Sequence, residues 1–574
     1  MSAARVREAG DSALLLELDA TNSSPPSSDL DWNVTAHAIA VADEVRRRGL
    51  AGVRDVVSTF RSVAVFFDPL ATDVAALAAA LHEAAHAEPA EAGSYGHLGF
   101  DVGAGFSRLI DVPVVYGGDS GPDLEDVAAF AGCTPEAAID RHASRTYRVF
   151  MLGFLPGFTY MGSVDETIAA PRRATPRVRV PAGSVGIAGR QTGIYPRESP
   201  GGWQIIGRTV LQVFDAERTP PALFAPGDEV RFVPVAVDVA AGFSRLNASA
   251  TSRLKATPTN RWVTVLRPGL LTTVQDSGRW GYQDQGVPVS GPMDPVAHRL
   301  ANAVVGNPRD AAALEATLLG PELLLEQDTT ISVAGADLRP TLGGSDLPQD
   351  TPVRCRAGAV LRFGERRSGA RACVAFDGGI ATAPVLGSRA THLLSALGGV
   401  EGRALKAGDR IPLGAARARV DLKVGPYTRN VEGKTGMGRA GARVRVLPGP
   451  QADLFARDAF DLLQRTRFAI SPQSDRMGYR LTGDRAIVRA TDGAMISDAA
   501  FVGALQVPPS GDPILLMGDR QTTGGYPQIA IVITADLPLA AQLLPGDWIE
   551  FEVCTRANAI AALVAQEGKL LAVR

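Results

Sequence analysis

Apolar residues along this chain fall mostly in short runs between turn residues, the signature of strands, with a few stretches at helical spacing. Residues 12–18 are such a run and predict a strand; residues 21–28 are a Ser/Pro-rich loop. Val34, Ile39, Val41 and Val45 fit a helix, which Arg46-Arg47-Arg48 and Gly49 close with a basic last turn and a stop. Residues 53–67 carry two β-rich stretches around 58–62, and Asp73 is placed to cap a helix with Val74, Leu77 and Leu81 on one face. Strand, helix, strand, strand, helix predicts a small α+β domain over residues 1–90. It carries no constellation of chemistry-bearing side chains, so its expected role is scaffold or interface.

Further along, a helix is expected over 123–142. The aromatic stretch 142–162 contains Gly153, Pro156 and Gly157, which fit a bend or a barrel corner rather than an uninterrupted ladder. Residues 200–209 read as turn and strand, and 237–260, rich in Ala, Ser, Thr and Pro, as a linker. Residues 262–266 predict a strand, and 269–294 a long Gly-rich loop of the kind that tends to be functional. Asp294 and Pro295 then start a helix whose stripe is Val296, Leu300 and Val304; His298 lies off that stripe and receives no role. Residues 376–380 fit a turn and 557–566 a closing helix. The predicted division is 1–90, 91–236, a linker at 237–260, 261–445 and 446–574, and the fold class is α+β, rich in β.

Composition narrows the function. The chain has 574 residues, with Lys+Arg 58 against Asp+Glu 61, and no basic run. A nucleic-acid footprint or a membrane surface is therefore not expected. Gly 61 and Pro 39 favour turns. Cys133, Cys355, Cys373 and Cys554 make no C-x-x-C, His82 and His86 read as solvent-facing, and no metal site is expected. Without an apolar leader or a membrane-length run, the expected location is the cytoplasm.

One phrase recurs. Gly189-Arg190-Gln191-Thr192-Gly193-Ile194-Tyr195-Pro196 returns as Arg520-Gln521-Thr522-Thr523-Gly524-Gly525-Tyr526-Pro527. Each copy follows a Val-Pro pair (Val180-Pro181, Val507-Pro508) and precedes a Pro-Gly-Asp turn (226–228, 545–547), which predicts a duplicated module. Guanidinium, carboxamide and hydroxyl together suit an oxygen-rich reactant, so Arg190, Gln191, Thr192, Arg520, Gln521 and Thr522 are the candidate catalytic donors; a recurring turn is the alternative. Tyr195, Arg208, Asp276, Arg279, Asp284 and Tyr526 are candidate substrate-binding residues. Arg179, Arg190 and Arg208 converge on an anion if their strands are neighbours, and otherwise are solvated charge. Asp276, Asp284 or Glu315 is a candidate general base, although lone carboxylates more often serve turns.

The words 142–162, Val180-Pro181-Ala182-Gly183-Ser184, 189–196 and Gly201-Gly202-Trp203, with Gly10-Asp11-Ser12 and Phe60-Arg61-Ser62, resemble the B-type subunit family of bacterial 5-oxoprolinase (KipI, allophanate hydrolase subunit 1). The words 269–294, Ala301-Asn302, Val305-Gly306-Asn307 and Glu315 resemble the C-type family of the same enzyme (KipA, allophanate hydrolase subunit 2, biotin-dependent carboxyltransferase). The resemblance implies cyclophilin-like β-barrel domains after the small N-terminal domain. It implies ATP-driven opening of 5-oxoproline to glutamate with a separate, LamB/YcsF-type 5-oxoprolinase component. The alternatives it implies are carboxyl transfer to urea from carboxybiotin on a separate carrier, and a fused inhibitor and antagonist of a sensor histidine kinase. Gly433-Lys434-Thr435 lacks the leading glycine of a P-loop, since 428 is Thr, and there is no biotin-attachment Met-Lys-Met. Assembly into a homo-oligomer is left open.

Overall fold

The computed structural model describes residues 4–18, 30–87, 108–236, 259–416, 440–490 and 495–572. The expected loop at 21–28, nearly all of the expected linker and the 433–435 segment lie outside them.

The N-terminal domain is a four-stranded sheet covered by two helices. Its elements are β1 (Ala4–Glu8), β2 (Ala13–Leu18), α1 (Trp32–Arg48), β3 (Val53–Ser58), β4 (Ser62–Phe67) and α2 (Val74–His86), with strand order β1-β2-β4-β3. Asp31 and Asp73 cap the two helices, and Gly49 closes α1 at φ 56°. The apolar runs in β2 and β4 do not alternate with polar residues because both faces are buried. Leu14, Leu16, Val63, Val65 and Phe67 meet the helices. Ala13, Leu15, Ala64 and Phe66 meet Ala499, Ala500, Phe501 and Ile531 at the other end of the chain. The domain is thus an interface, as its lack of chemistry suggested.

The next segment closes a seven-stranded barrel. Its elements are β5 (Leu109–Tyr116), α3 (Leu124–Phe130), α4 (Pro135–Ala143), β6 (Thr146–Leu152), β7 (Thr159–Gly162), β8 (Arg177–Val180), β9 (Ser184–Ala188), β10 (Gln191–Ile194), β11 (Ser199–Gly201), β12 (Gln204–Arg208) and β13 (Glu229–Pro234). Around the barrel the order is β10-β7-β6-β13-β5-β12-β9, and β8 and β11 form a separate two-stranded flap. The single helix expected over 123–142 is two: Gly132 at φ 60° ends the first, and Thr134 with Pro135 starts α4 afresh.

Residues 259–416 form two sheets, six- and five-stranded, around one core, rather than a third closed barrel. Helix α5 (Pro295–Val304) is capped by Asp294 as predicted, but His298 on it is buried, its Nε2 3.1 Å from the carbonyl of Gln275. A second closed barrel follows, from β14 (Gly441–Pro448), α6 (Ala459–Arg465), β15 (Phe468–Ile470), β16 (Gly478–Thr482), β17 (Asp498–Ala499), β18 (Ala504–Gln506), β19 (Ile514–Leu516), β20 (Thr523–Gly524), β21 (Gln528–Val532) and β22 (Trp548–Val553). Its order is β14-β21-β18-β19-β16-β15-β22, with β17 and β20 as its flap, and α7 (Arg556–Leu571) closes the chain.

Position for position this repeats the first barrel, and in both the opening and closing strands pair in parallel, β5 with β13 and β14 with β22. The duplication is real, but its register is not that of the repeated phrase. Flap pairing matches Ser199↔Val180 with Thr523↔Ala499. Gly183 (φ 79°) and Gly503 (φ 80°) then make the same turn, where an added Cβ would press on the carbonyl of Thr209 or of Val532. Gly201-Gly202-Trp203-Gln204 corresponds to Gly524-Gly525-Tyr526-Pro527-Gln528, one residue longer. Arg190 sits on the β9–β10 hairpin and Arg520 on the crossover after β19, so they are not equivalent, and neither are the two Val-Pro pairs. The Pro-Gly-Asp turns do correspond: Gly227 N–H donates to Val149 O and Gly546 N–H to Ile470 O, both at 2.8 Å.

Candidate functional site

Because the phrase copies occupy different places, the six donors do not form twin sites. Arg190 is half-buried and pairs through Nη1 with the exposed Glu166 at 2.7 Å. Arg179 pairs with Glu198, and Arg208 donates to Ala182 O, so these three guanidiniums have separate partners and do not converge. Replacing Arg190 with Ala is expected to change stability by less than about 1 kcal/mol and to leave activity unchanged, as thermal melts and turnover of the variant will show.

Thr192 belongs to the barrel interior. Its Oγ1 donates to Gly186 O at 3.0 Å and accepts from His142 Nε2 at 3.0 Å, while Tyr116 Oη donates to His142 Nδ1 at 2.8 Å. Burial pushes His142 down to about 3, so the ring is neutral and the chain of hydrogen bonds is complete. Tyr195 is buried among Phe158, Tyr160 and Trp203. Gln191 is half-buried on β10 and Tyr526 is exposed.

Arg520 is buried: Nε donates to Ala500 O at 3.2 Å and Nη2 to Gln283 Oε1 at 3.1 Å, and burial lowers it to about 10. Gln521 packs over Gly524, and Thr522 Oγ1 is buried without a partner. Asp284 faces Arg46 at 3.2 Å with Oδ1 buried and unpartnered, and burial raises it to about 6 despite that arginine. A carboxyl raised in the folded state binds its proton before the unfolded chain does. Asp284 therefore costs stability above pH 6, on the order of 2–3 kcal/mol, and nothing below pH 4. Asp284→Asn is expected to raise the melting temperature at pH 8 and leave it unchanged at pH 4.

The structure gathers Asp276 and Arg279 with residues that sequence reasoning passes over. Asp276 ties the long loop to a second one, accepting from Gly278 N at 3.0 Å, Ser388 Oγ at 2.6 Å and Arg389 N. Arg279 is wholly buried; Nε donates to Val385 O at 2.8 Å, Nη2 to Ala390 O at 2.9 Å, and Nη1 has no partner. Burial brings it down to about 10, against the pull of Asp276 and Asp519. The second loop is strained: Leu386, Ala396 and Glu401 all have positive φ. On its far side Arg476 bridges Glu315 and Asp519, with Nε 2.9 Å from Asp519 Oδ2, Nη1 on Glu315 Oε1 and Nη2 donating to Gly291 O at 2.6 Å. Burial opposes its charge, but the two carboxylates outweigh that and hold its pKa above the ordinary value. His392 is buried within electrostatic reach of Asp519, Arg279 and Arg476; Nδ1 accepts from Ser395 N at 3.2 Å, and burial keeps the ring neutral.

The junction therefore contains one buried, unpartnered guanidinium nitrogen within electrostatic reach of a neutral imidazole, among three carboxylates held by partners. An unpartnered guanidinium nitrogen is the kind of donor that suits a small anion or a polarised carbonyl. The signal for Asp519 and Arg476 is present in Gly518-Asp519-Arg520, next to the repeated phrase, and in Ser474-Asp475-Arg476-Met477-Gly478, a charged turn entering a strand. Among the described residues no group of three His, Cys, Asp or Glu could hold a metal ion, and no helix is long and apolar enough to cross a membrane.

Two barrels with flaps, the second meeting the two-sheet unit before it through such a junction, define a class. A family model for the carboxyltransferase domain, subdomains C and D, matches residues 4–224, and one for subdomains A and B matches residues 285–553. The chain belongs to this carboxyltransferase-domain family. The crystal structure of TTHA0988 superposes with TM-score 0.78 at 32% identity, over 96% of this chain and 100% of that one. The 5-oxoprolinase C subunit of Escherichia coli (strain K12) is 38% identical over 303 residues, 53% of this chain and 94% of the relative. The 5-oxoprolinase B subunit of Escherichia coli O157:H7 is 57% identical over 128 residues, 22% of this chain and 59% of the relative. This chain is a fused protein of the B and C types, KipI followed by KipA. The urea amidolyase of K. lactis superposes with TM-score 0.51 at 26% identity, over 68% of this chain and 25% of that one.

Proposed function

We propose that this chain is the B–C component of an ATP-dependent 5-oxoprolinase, working with a separate LamB/YcsF-type protein to open 5-oxoproline to glutamate. The observation that supports it most is Arg279, a buried guanidinium with one free donor, in a chain related to both the B and the C components of that enzyme. 5-Oxoproline carries a carboxylate and a lactam carbonyl. A carboxylate at Arg279 Nη1 would complete its set of acceptors, and the His392 ring lies within electrostatic reach of the same guanidinium. Opening the lactam develops negative charge on that oxygen, which fixed donors in a dry site stabilise.

A triphosphate does not fit this junction, because Asp276, Glu315 and Asp519 leave no excess of positive charge. Nucleotide handling therefore belongs outside this junction. A second reading, carboxyl transfer to urea from carboxybiotin on a separate carrier, draws support from the urea amidolyase superposition. One assay separates them: the chain is given ATP with 5-oxoproline or urea, alone, with the partner protein, or with a biotinylated carrier, a biotin carboxylase and bicarbonate. Glutamate release that needs both proteins is expected. With a partner shown to be competent, absence of glutamate would sink the first reading, and carboxylation of urea in its place would establish the second.

A further inference from the structure

The long loop that carries Arg279 belongs to the second half of the chain, yet residues 281–285 of it are anchored from the first. Asp55 on β3 is buried, and its Oδ2 accepts from Gly281 N at 3.0 Å, Gln283 N at 3.3 Å and Gln283 Nε2 at 3.2 Å. The Gln283 side chain passes the contact on, its Oε1 accepting from Arg520 Nη2 at 3.1 Å. Two residues on, Gln285 O accepts from Gly157 N at 2.8 Å and Gln285 Oε1 from Ala222 N at 3.3 Å. Arg54 covers Trp280 with its guanidinium 5.3 Å from the ring centroid.

We propose that Asp55 is a positioning residue: it fixes the loop from Arg279 to Gln285, and through Gln283 sets Arg520, so that the first half of the chain completes a site whose polar groups all lie in the second. Nothing in the β3 strand itself calls for a buried carboxylate. Its own sheet gains only Val56 N on Oδ1, and the other oxygen serves the distant loop alone. A charged carboxylate oxygen held by the fold and accepting three N–H groups orders them more strongly than exchanging water does. The claim about catalysis rests on the function proposed above; the claim about loop order does not.

The test uses the full chain with Asp55→Asn, and Gln283→Met as a second variant in case the first does not fold. Hydrogen exchange at Gly281 and Gln283 is expected to speed up at least tenfold in Asp55→Asn, with α5 unchanged. In the reconstituted enzyme kcat should fall about tenfold and the KM for 5-oxoproline should rise while the KM for ATP stays put; a general loss of folded protein would lower kcat and leave both KM values unchanged. Wild-type exchange at both amides, or faster exchange with wild-type kcat in a competent complex, would overturn the proposal. If the wild-type complex releases no glutamate, the functional reading falls alone, and the exchange rates still decide whether Asp55 orders the loop.

Discussion

Arg476→Met is expected to cost about 3–5 kcal/mol of stability, the largest loss of any single exchange at the junction. The guanidinium is buried between Glu315 and Asp519, which are themselves almost completely hidden from water. Each carboxylate would be left charged and unpaired, and the penalty for that exceeds what the ion pairs contributed when formed. Glu315 would keep only the Met293 and Asp294 amides, at 2.7 and 3.4 Å. Calorimetry should show the melting temperature fall by roughly 10 °C. Adding Glu315→Gln and Asp519→Asn to the same variant should recover most of the loss, because neutral amides need no counter-charge. A single variant that melts within a degree or two of the parent would show that the carboxylates are relieved some other way.

Arg279→Lys should reduce kcat/KM for 5-oxoproline about 100-fold or more, the scale of removing one fixed donor from a dry site. Two of the guanidinium's nitrogens are spent on Val385 and Ala390 carbonyls, which is what holds the third in place. A lysine has a single nitrogen and cannot hold both carbonyls and the reactant. Leaving one carbonyl unserved costs about 1–3 kcal/mol, so the variant should still fold. Turnover within threefold of wild type would remove Arg279 from the site.

What the sequence makes legible follows from range of interaction. Asp73 and Asp294 cap helices through hydrogen bonds two or three residues away, and such local devices show in the residues themselves. The break at Gly132 is equally local but is masked, because Leu124, Val127 and Ala138 keep an apolar face across it. The repeated phrase misleads for a different reason. Arg, Gln, Thr and Gly serve hairpins and crossovers alike, so similar wording arises at Arg190 and Arg520 in places that do not correspond. The truer repeat, Gly183 with Gly503, has almost no shared wording, because a left-handed turn constrains one residue and leaves its neighbours free. Arg476 and Asp55 lie 161 residues and 226 residues from the groups they serve, Glu315 and Gly281, and no spacing rule reaches that far.

Parallel closure of each barrel has a consequence for engineering. Since β5 and β13 run side by side in the same direction, as do β14 and β22, a barrel receives the chain at one rim and releases it at the other. Its ends are separated by a strand length, about 20 Å for six residues. Modules of this kind can be threaded like beads on a string, and a circularly permuted version would need a bridging segment that climbs the whole wall.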